Sequence, residues 1–157
     1  MLKGDNDDNP YLQQEVMSAS PARLRWMLIN RAHELTGLVG QMWSNNEFAQ
    51  SQQWFLRIRD ILGELLDGVK DANHPLSNPI SDFYIYLLQM TFEVENQRNS
   101  SRLKLLGELL AIESETWRMV LEKVGAESMA TSNSNAVFPH LDGGFAGANN
   151  SSFSLEV

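Results

Sequence analysis

Four stretches of this chain repeat apolar residues every three or four positions for about six turns each, and each is bounded by proline or by a run of Ser and Asn. That spacing puts side chains on one face of an α-helix, whereas a strand would need strict alternation. The first runs from Pro21 to about Trp43 through Leu24, Met27, Leu28, Leu35, Leu38, Val39 and Met42, and Ser44-Asn45-Asn46 ends it. The second, roughly Glu47 to Lys70, carries Phe55, Ile58, Ile61, Leu62, Leu65, Leu66 and Val69. The third continues from Asn78-Pro79 to about Asn96 through Ile80, Phe83, Tyr84, Leu87, Thr91 and Val94. The last, about Ser101 to Val124, follows Leu103, Leu106, Leu109, Leu110, Trp117, Val120 and Leu121. Amphipathic helices joined by short polar loops bury their apolar faces best as antiparallel neighbours. The expected fold is therefore all-α, an antiparallel up-and-down helical bundle of four long helices plus a short N-terminal helix.

That short helix is read from Tyr11 to about Met17, where Tyr11, Leu12, Glu15 and Val16 share one face and its edge. So short a helix is unstable alone and must lie on something. After it, Ser18-Ala19-Ser20-Pro21 offers Ser20 as an N-cap and Pro21 as the first helical residue, whose missing N–H costs nothing there. Asn78-Pro79 has the form of a second such start. Residues 1–10 read as a disordered leader, 11–125 as the bundle domain, and 126–157 as a disordered tail of Ser, Asn, Gly and Ala without Lys or Arg.

The formal charge of −8 opposes general attraction to nucleic acid or anionic lipid, so the expected partner is a protein. The absence of cysteine excludes disulfides, thiolate zinc sites and thiol catalysis. No secretion signal and no stretch long enough to span a membrane is recognisable, and a cytoplasmic protein without membrane insertion is expected.

Catalytic patterns are sparse. His33-Glu34-Leu35-Thr36-Gly37 resembles a histidine phosphotransfer motif, but Thr36 stands where that motif has a lysine to offset phosphate charge. No Glu-x-x-His occurs, so the carboxylate-bridged metal pattern of helical bundles is missing. Glu93 and Glu95, and Glu113 and Glu115, are spaced by two and read as solvated pairs. The expectation is a protein with no enzymatic activity, no cofactor and no metal.

What stands out is surplus apolar surface. Around the third long helix, Asp82 to Phe92 is apolar on most sides, and a stripe at Ile85, Leu88 and Phe92 accompanies the core stripe. Trp26 and Ile29 lie off the Leu24, Leu28, Leu35 line in the same way. Apolar residues that a bundle cannot cover suggest a groove for a peptide. Trp26, Ile29, Ile85, Leu88 and Phe92 are the candidate groove residues, with Tyr11 and Val16 as a displaceable cover.

The N-terminal run Asn9-Pro10-Tyr11, Val16, Ser18-Ala19-Ser20-Pro21, Leu24 and Met27-Leu28 resembles the start of the flagellar secretion chaperone family FliS. Its members carry a tyrosine, a valine, a Thr-Ala-Ser/Thr-Pro element and then Lys-Leu-x-x-Met-Leu-Tyr-Asp-Gly. Asp82-Phe83-Tyr84-Ile85-Tyr86 resembles the family's Leu-Tyr-Asp-Tyr segment, and Glu115-Thr116-Trp117 its late Glu-Thr-Trp. Where the family has Tyr-Asp-Gly, this chain has Ile29-Asn30-Arg31. Its lysine is replaced by Arg23 and its threonine by Ser18, and the long C-terminal tail is atypical.

The resemblance implies a five-helix, mainly antiparallel bundle that binds newly made flagellin in the cytoplasm. Such chaperones hold flagellin's C-terminal segment in apolar grooves, prevent premature polymerisation and help deliver it to the export gate, without ATP. A monomer or weak homodimer is the expected state.

Overall fold

The computed structural model describes residues 10–11, 19–70 and 73–135. Its long helices are α1 (Pro21–Ser44), α2 (Phe48–Lys70), α3 (Ser77–Gln97) and α4 (Ser100–Asn135), with no strand among the described residues. α1 packs most extensively against α4 and α2, α3 packs against α2, and the α3–α4 seam is thinner than these three. Pro10 and Tyr11 are helical; the rest of the expected short helix, the leader before Pro10 and the tail after Asn135 lie outside the described residues.

Local chemistry sets most boundaries. Ser20 is extended at φ −64°, ψ 158°, and its side-chain oxygen accepts the Arg23 backbone N–H while Pro21 opens α1. After Ser44 the chain reverses through Asn46 at φ 61°, with Glu47 N–H donating to the Met42 carbonyl. Left-handed Arg98, φ 47°, closes α3, and the Asn99 side chain then caps α4 by accepting the Arg102 N–H.

Two boundaries differ from the sequence reading. α3 starts at Ser77, one residue before the expected Asn78 cap, and Leu76 at the cap position makes no side-chain bond. His74 shapes that turn: its ring Nδ1 accepts the Leu76 N–H at 3.1 Å and its carbonyl accepts from Ser77 at 2.9 Å. Pro79 falls in the first turn of α3, where it breaks no helical bond. α4 passes through Gly125 to Asn135, beyond the expected domain edge at 125. Ala126, Glu127, Met129 and Ala130 are good helix formers, and the Ser- and Asn-rich composition of the longer tail masks them.

α2 buries all seven of its expected core residues, Phe55 through Val69. α1 follows expectation only at Leu35 and Val39. Its buried face is Ile29, Ala32, Leu35, Thr36, Val39 and Trp43, while Leu24, Met27, Leu28, Leu38 and Met42 are only half-buried. The reason lies across the seam. A Cβ added at Gly107 of α4 would stand 2.9 Å from Thr36 Oγ1, so the helices approach too closely there for large side chains. Thr36 meets Gly107 at that close approach, while Ile29, Leu35, Val39 and Trp43 supply the bulk of α1's buried face.

Candidate functional site

The predicted groove residues divide between two faces of the bundle. Ile85, Leu88 and Phe92 follow one another along a single edge of α3, and Ile85 and Phe92 are 39% and 52% exposed. Leu88 is half-buried against the core and anchors the stripe. On α2, Arg59 reaches this edge, its guanidinium 4.5 Å from the Phe92 ring centroid and its Nη1 donating to Glu95 at 2.6 Å. The pair holds a cation over an aromatic face and fixes Phe92 without covering it. Leu56, 58% exposed, lies one turn before Arg59 and adds apolar surface. Tyr86, next after Ile85 in the chain, is 45% exposed.

Ile29 is not part of this surface. It is fully buried and belongs to the core, because the centre of α1's buried face is rotated from Leu24 and Leu28 towards Ile29 and Ala32. Trp26 is half-buried on the α1 side that also carries Asn30 and His33, away from the α3 edge. Tyr11 is exposed, and Val16 lies outside the described residues.

The α1–α4 seam holds an open groove of about 590 Å³ lined by His33, Gly37, Gly40, Leu103, Gly107 and Ala111 among others. His33 is half-buried, with Nδ1 3.0 Å from the Gly107 carbonyl, so Nδ1 carries the proton and donates it. Glu34 and Glu108 share the groove. Their carboxylates would repel a phosphoryl group, and Lys104, which also lines the groove, lies 3.9 Å from the Glu108 carboxylate, which opposes its charge.

At the other end of the bundle a polar cluster crosses the core. The buried Tyr84 hydroxyl donates to Glu113 Oε1 at 2.8 Å, and Trp117 Nε1 donates to the same oxygen at 3.0 Å. Burial pushes the Tyr84 hydroxyl pKa well above its ordinary value, the Glu113 charge adds to the rise, and Arg25 opposes it. The Arg25 guanidinium lies 5.1 Å from the Trp117 ring centroid, and its Nη1 is buried without a hydrogen-bond partner among the described residues. Glu113 is therefore not the solvated carboxylate its spacing from Glu115 suggested. The missed signal was Tyr84 in the core stripe, whose hydroxyl needs an acceptor, together with the four-residue step from Glu113 to Trp117.

No group of His, Asp or Glu among the described residues could hold a metal ion, and no described helix is long and apolar enough to cross a membrane. No curated protein matches the chain. The family model for the flagellar protein FliS matches residues 4–124, from the leader through the part of α4 that packs in the bundle. With that match over most of its length, the chain belongs to the FliS family of flagellar export chaperones.

Proposed function

We propose that this chain is a cytoplasmic chaperone that binds the C-terminal segment of flagellin, prevents its premature polymerisation and aids its delivery to the export apparatus. The observation that carries the reading is the exposed apolar edge of α3, Ile85, Leu88 and Phe92, on a bundle of this family. Fully burying one such side chain is worth about 1.5–3 kcal/mol. A few of them offset part of the cost of ordering a disordered segment, and a long segment can add contacts elsewhere. No cofactor enters this mechanism.

Copurification with flagellin tests the reading, using full-length flagellin and a form lacking about its last forty residues. Full-length flagellin is retained and the truncated form is lost. Ile85→Asp with Phe92→Asp also abolishes retention while the helical circular dichroism persists. Equal retention of both flagellins would refute the C-terminal mode, and retention unchanged by the double variant would remove the α3 edge from the site.

A further inference from the structure

The outer side of α4 carries a second apolar seam that the bundle does not use. Leu105, Leu109, Ile112, Thr116 and Met119 follow a spacing of four, three, four and three, the heptad pattern of a helix that expects another helix alongside. Leu105, Ile112 and Met119 are 40%, 64% and 52% exposed, and Leu109 is half-buried against the core. The core-facing residues Leu103, Leu106, Leu110 and Ser114 occupy the opposite side of the same helix. Val120, 38% exposed, widens the stripe.

One flank of the seam is acidic along its whole length. Glu108, Glu115 and Glu122 are exposed and recur every seven residues, the flanking register from which coiled-coil partners are selected by charge. Lys104 pairs with Glu108, and Arg118 with both Glu115 and Glu122, approaching from the side of the glutamates away from the seam. Such exposed pairs contribute little and exchange readily with a new partner.

Charge decides between the occupants that could reach this surface. The chain's own tail from Ala126 to Val157 contains Glu127, Asp142 and Glu156 and no Lys or Arg, so it offers no cation to the flank. A second copy packed antiparallel would set glutamate against glutamate; packed parallel, it would set them against Glu113 and Val120. We propose that the α4 seam docks a separate amphipathic helix with Leu, Ile or Met along its stripe and Lys or Arg on the flank that meets Glu108, Glu115 and Glu122. This surface is distinct from the α3 edge, and a partner there could bind while the edge is occupied.

The test uses the full chain and two labelled synthetic helices of about twenty residues, long enough to match the seam at 1.5 Å per residue. Both have Leu and Ile along the stripe, and they differ only in carrying Lys or Glu on the flanks. Fluorescence anisotropy should show the lysine helix binding at least about tenfold more tightly than the glutamate helix, with the preference shrinking at high salt. Ile112→Asp should weaken it by a similar factor and leave the melting temperature unchanged, and Ile85→Asp should leave binding intact. The triple variant Glu108→Lys, Glu115→Lys, Glu122→Lys should reverse the preference.

Equal binding of the two helices would overturn the proposal, as would insensitivity to Ile112→Asp. A dimer in sedimentation equilibrium that Ile112→Asp dissolves would assign the seam to a second copy instead. Displacement of the lysine helix by the flagellin C-terminal segment would make the seam part of the flagellin site, against a second surface. Loss of flagellin retention through Ile85 and Phe92 bears on the proposed function alone.

Discussion

α2 and α1 both lie against the core, yet they bury different kinds of residue. α2 presents large apolar side chains in every turn, Phe55, Ile58, Ile61, Leu62, Leu65, Leu66 and Val69, and all are buried. The buried face of α1 includes Ala32 and Thr36, and Gly107 faces Thr36 from α4 with its carbonyl against the His33 ring. Where helices stand apart at side-chain distance, filling the space takes bulk, and the sequence shows its period. Where backbones approach closely, contact takes the absence of bulk, and hydrophobicity alone points to the wrong face.

The sharpest break between the two regions comes from removing bulk on one side and adding it on the other. Phe55 is fully buried beside Trp43, their ring centroids 5.8 Å apart. Phe55→Ala should cost about 3–5 kcal/mol, read as a lower urea midpoint with an unchanged slope. Gly107→Ala adds only a methyl group, but that methyl would sit 2.9 Å from Thr36 Oγ1. Overpacking of about 1–3 kcal/mol exceeds the helix-propensity gain of about 1 kcal/mol, so a net loss of stability is expected. Thr36→Ala removes the opposing oxygen, and the double variant should be more stable than the sum of the singles predicts. A strictly additive pair would mean that the close approach does not limit the seam.

How much could be read in advance follows the same division. The all-α class, the four long helices, the Ser20 cap and the large apolar residues buried on α2 were legible because each rests on local spacing or local hydrogen bonding; buried Ser51 was not, because its hydroxyl oxygen accepts from Trp43 of α1. The stripe of Ile85, Leu88 and Phe92 was legible as surplus on α3, though only the fold could supply Arg59 to hold Phe92. Ile29 reads as a groove residue because its burial depends on how α1 is turned against α4 and α2, which the spacing within α1 does not record. The role of Glu113 was hidden for a related reason: its partner Tyr84 sits on another helix, and nothing within α4 marks the carboxylate as internal apart from Trp117.

The Tyr84 cluster separates the regions by pH. Tyr84 titrates above its ordinary value of 10.0 because burial and the Glu113 charge both oppose the phenolate. Below pH 10 the hydroxyl is protonated in both folded and unfolded chains, and the full contribution to stability is present. As the pH rises from there towards the higher folded value, the unfolded chain releases its proton while the folded chain keeps it, and stability falls. Tyr84→Phe should flatten this alkaline decline in denaturation curves taken from about pH 9 to pH 11. An unchanged decline in the variant would assign the alkaline sensitivity to other groups.

The smallest expected effect has the opposite sign and lies on α2. Gly63 sits in the middle of that helix, and a Cβ built there meets nothing within 4 Å. Alanine at this position adds no contact to be strained, as it would at Gly107. It also lowers the entropy that the unfolded chain loses on folding. Gly63→Ala should therefore stabilise the bundle by about 0.5–1 kcal/mol. The same substitution thus raises stability on the helix whose packing depends on bulk and lowers it at the seam that depends on bulk being absent. Should Gly63→Ala destabilise the protein as Gly107→Ala does, the distinction between the two helices would fail at its simplest point, because a shared glycine requirement would then govern both.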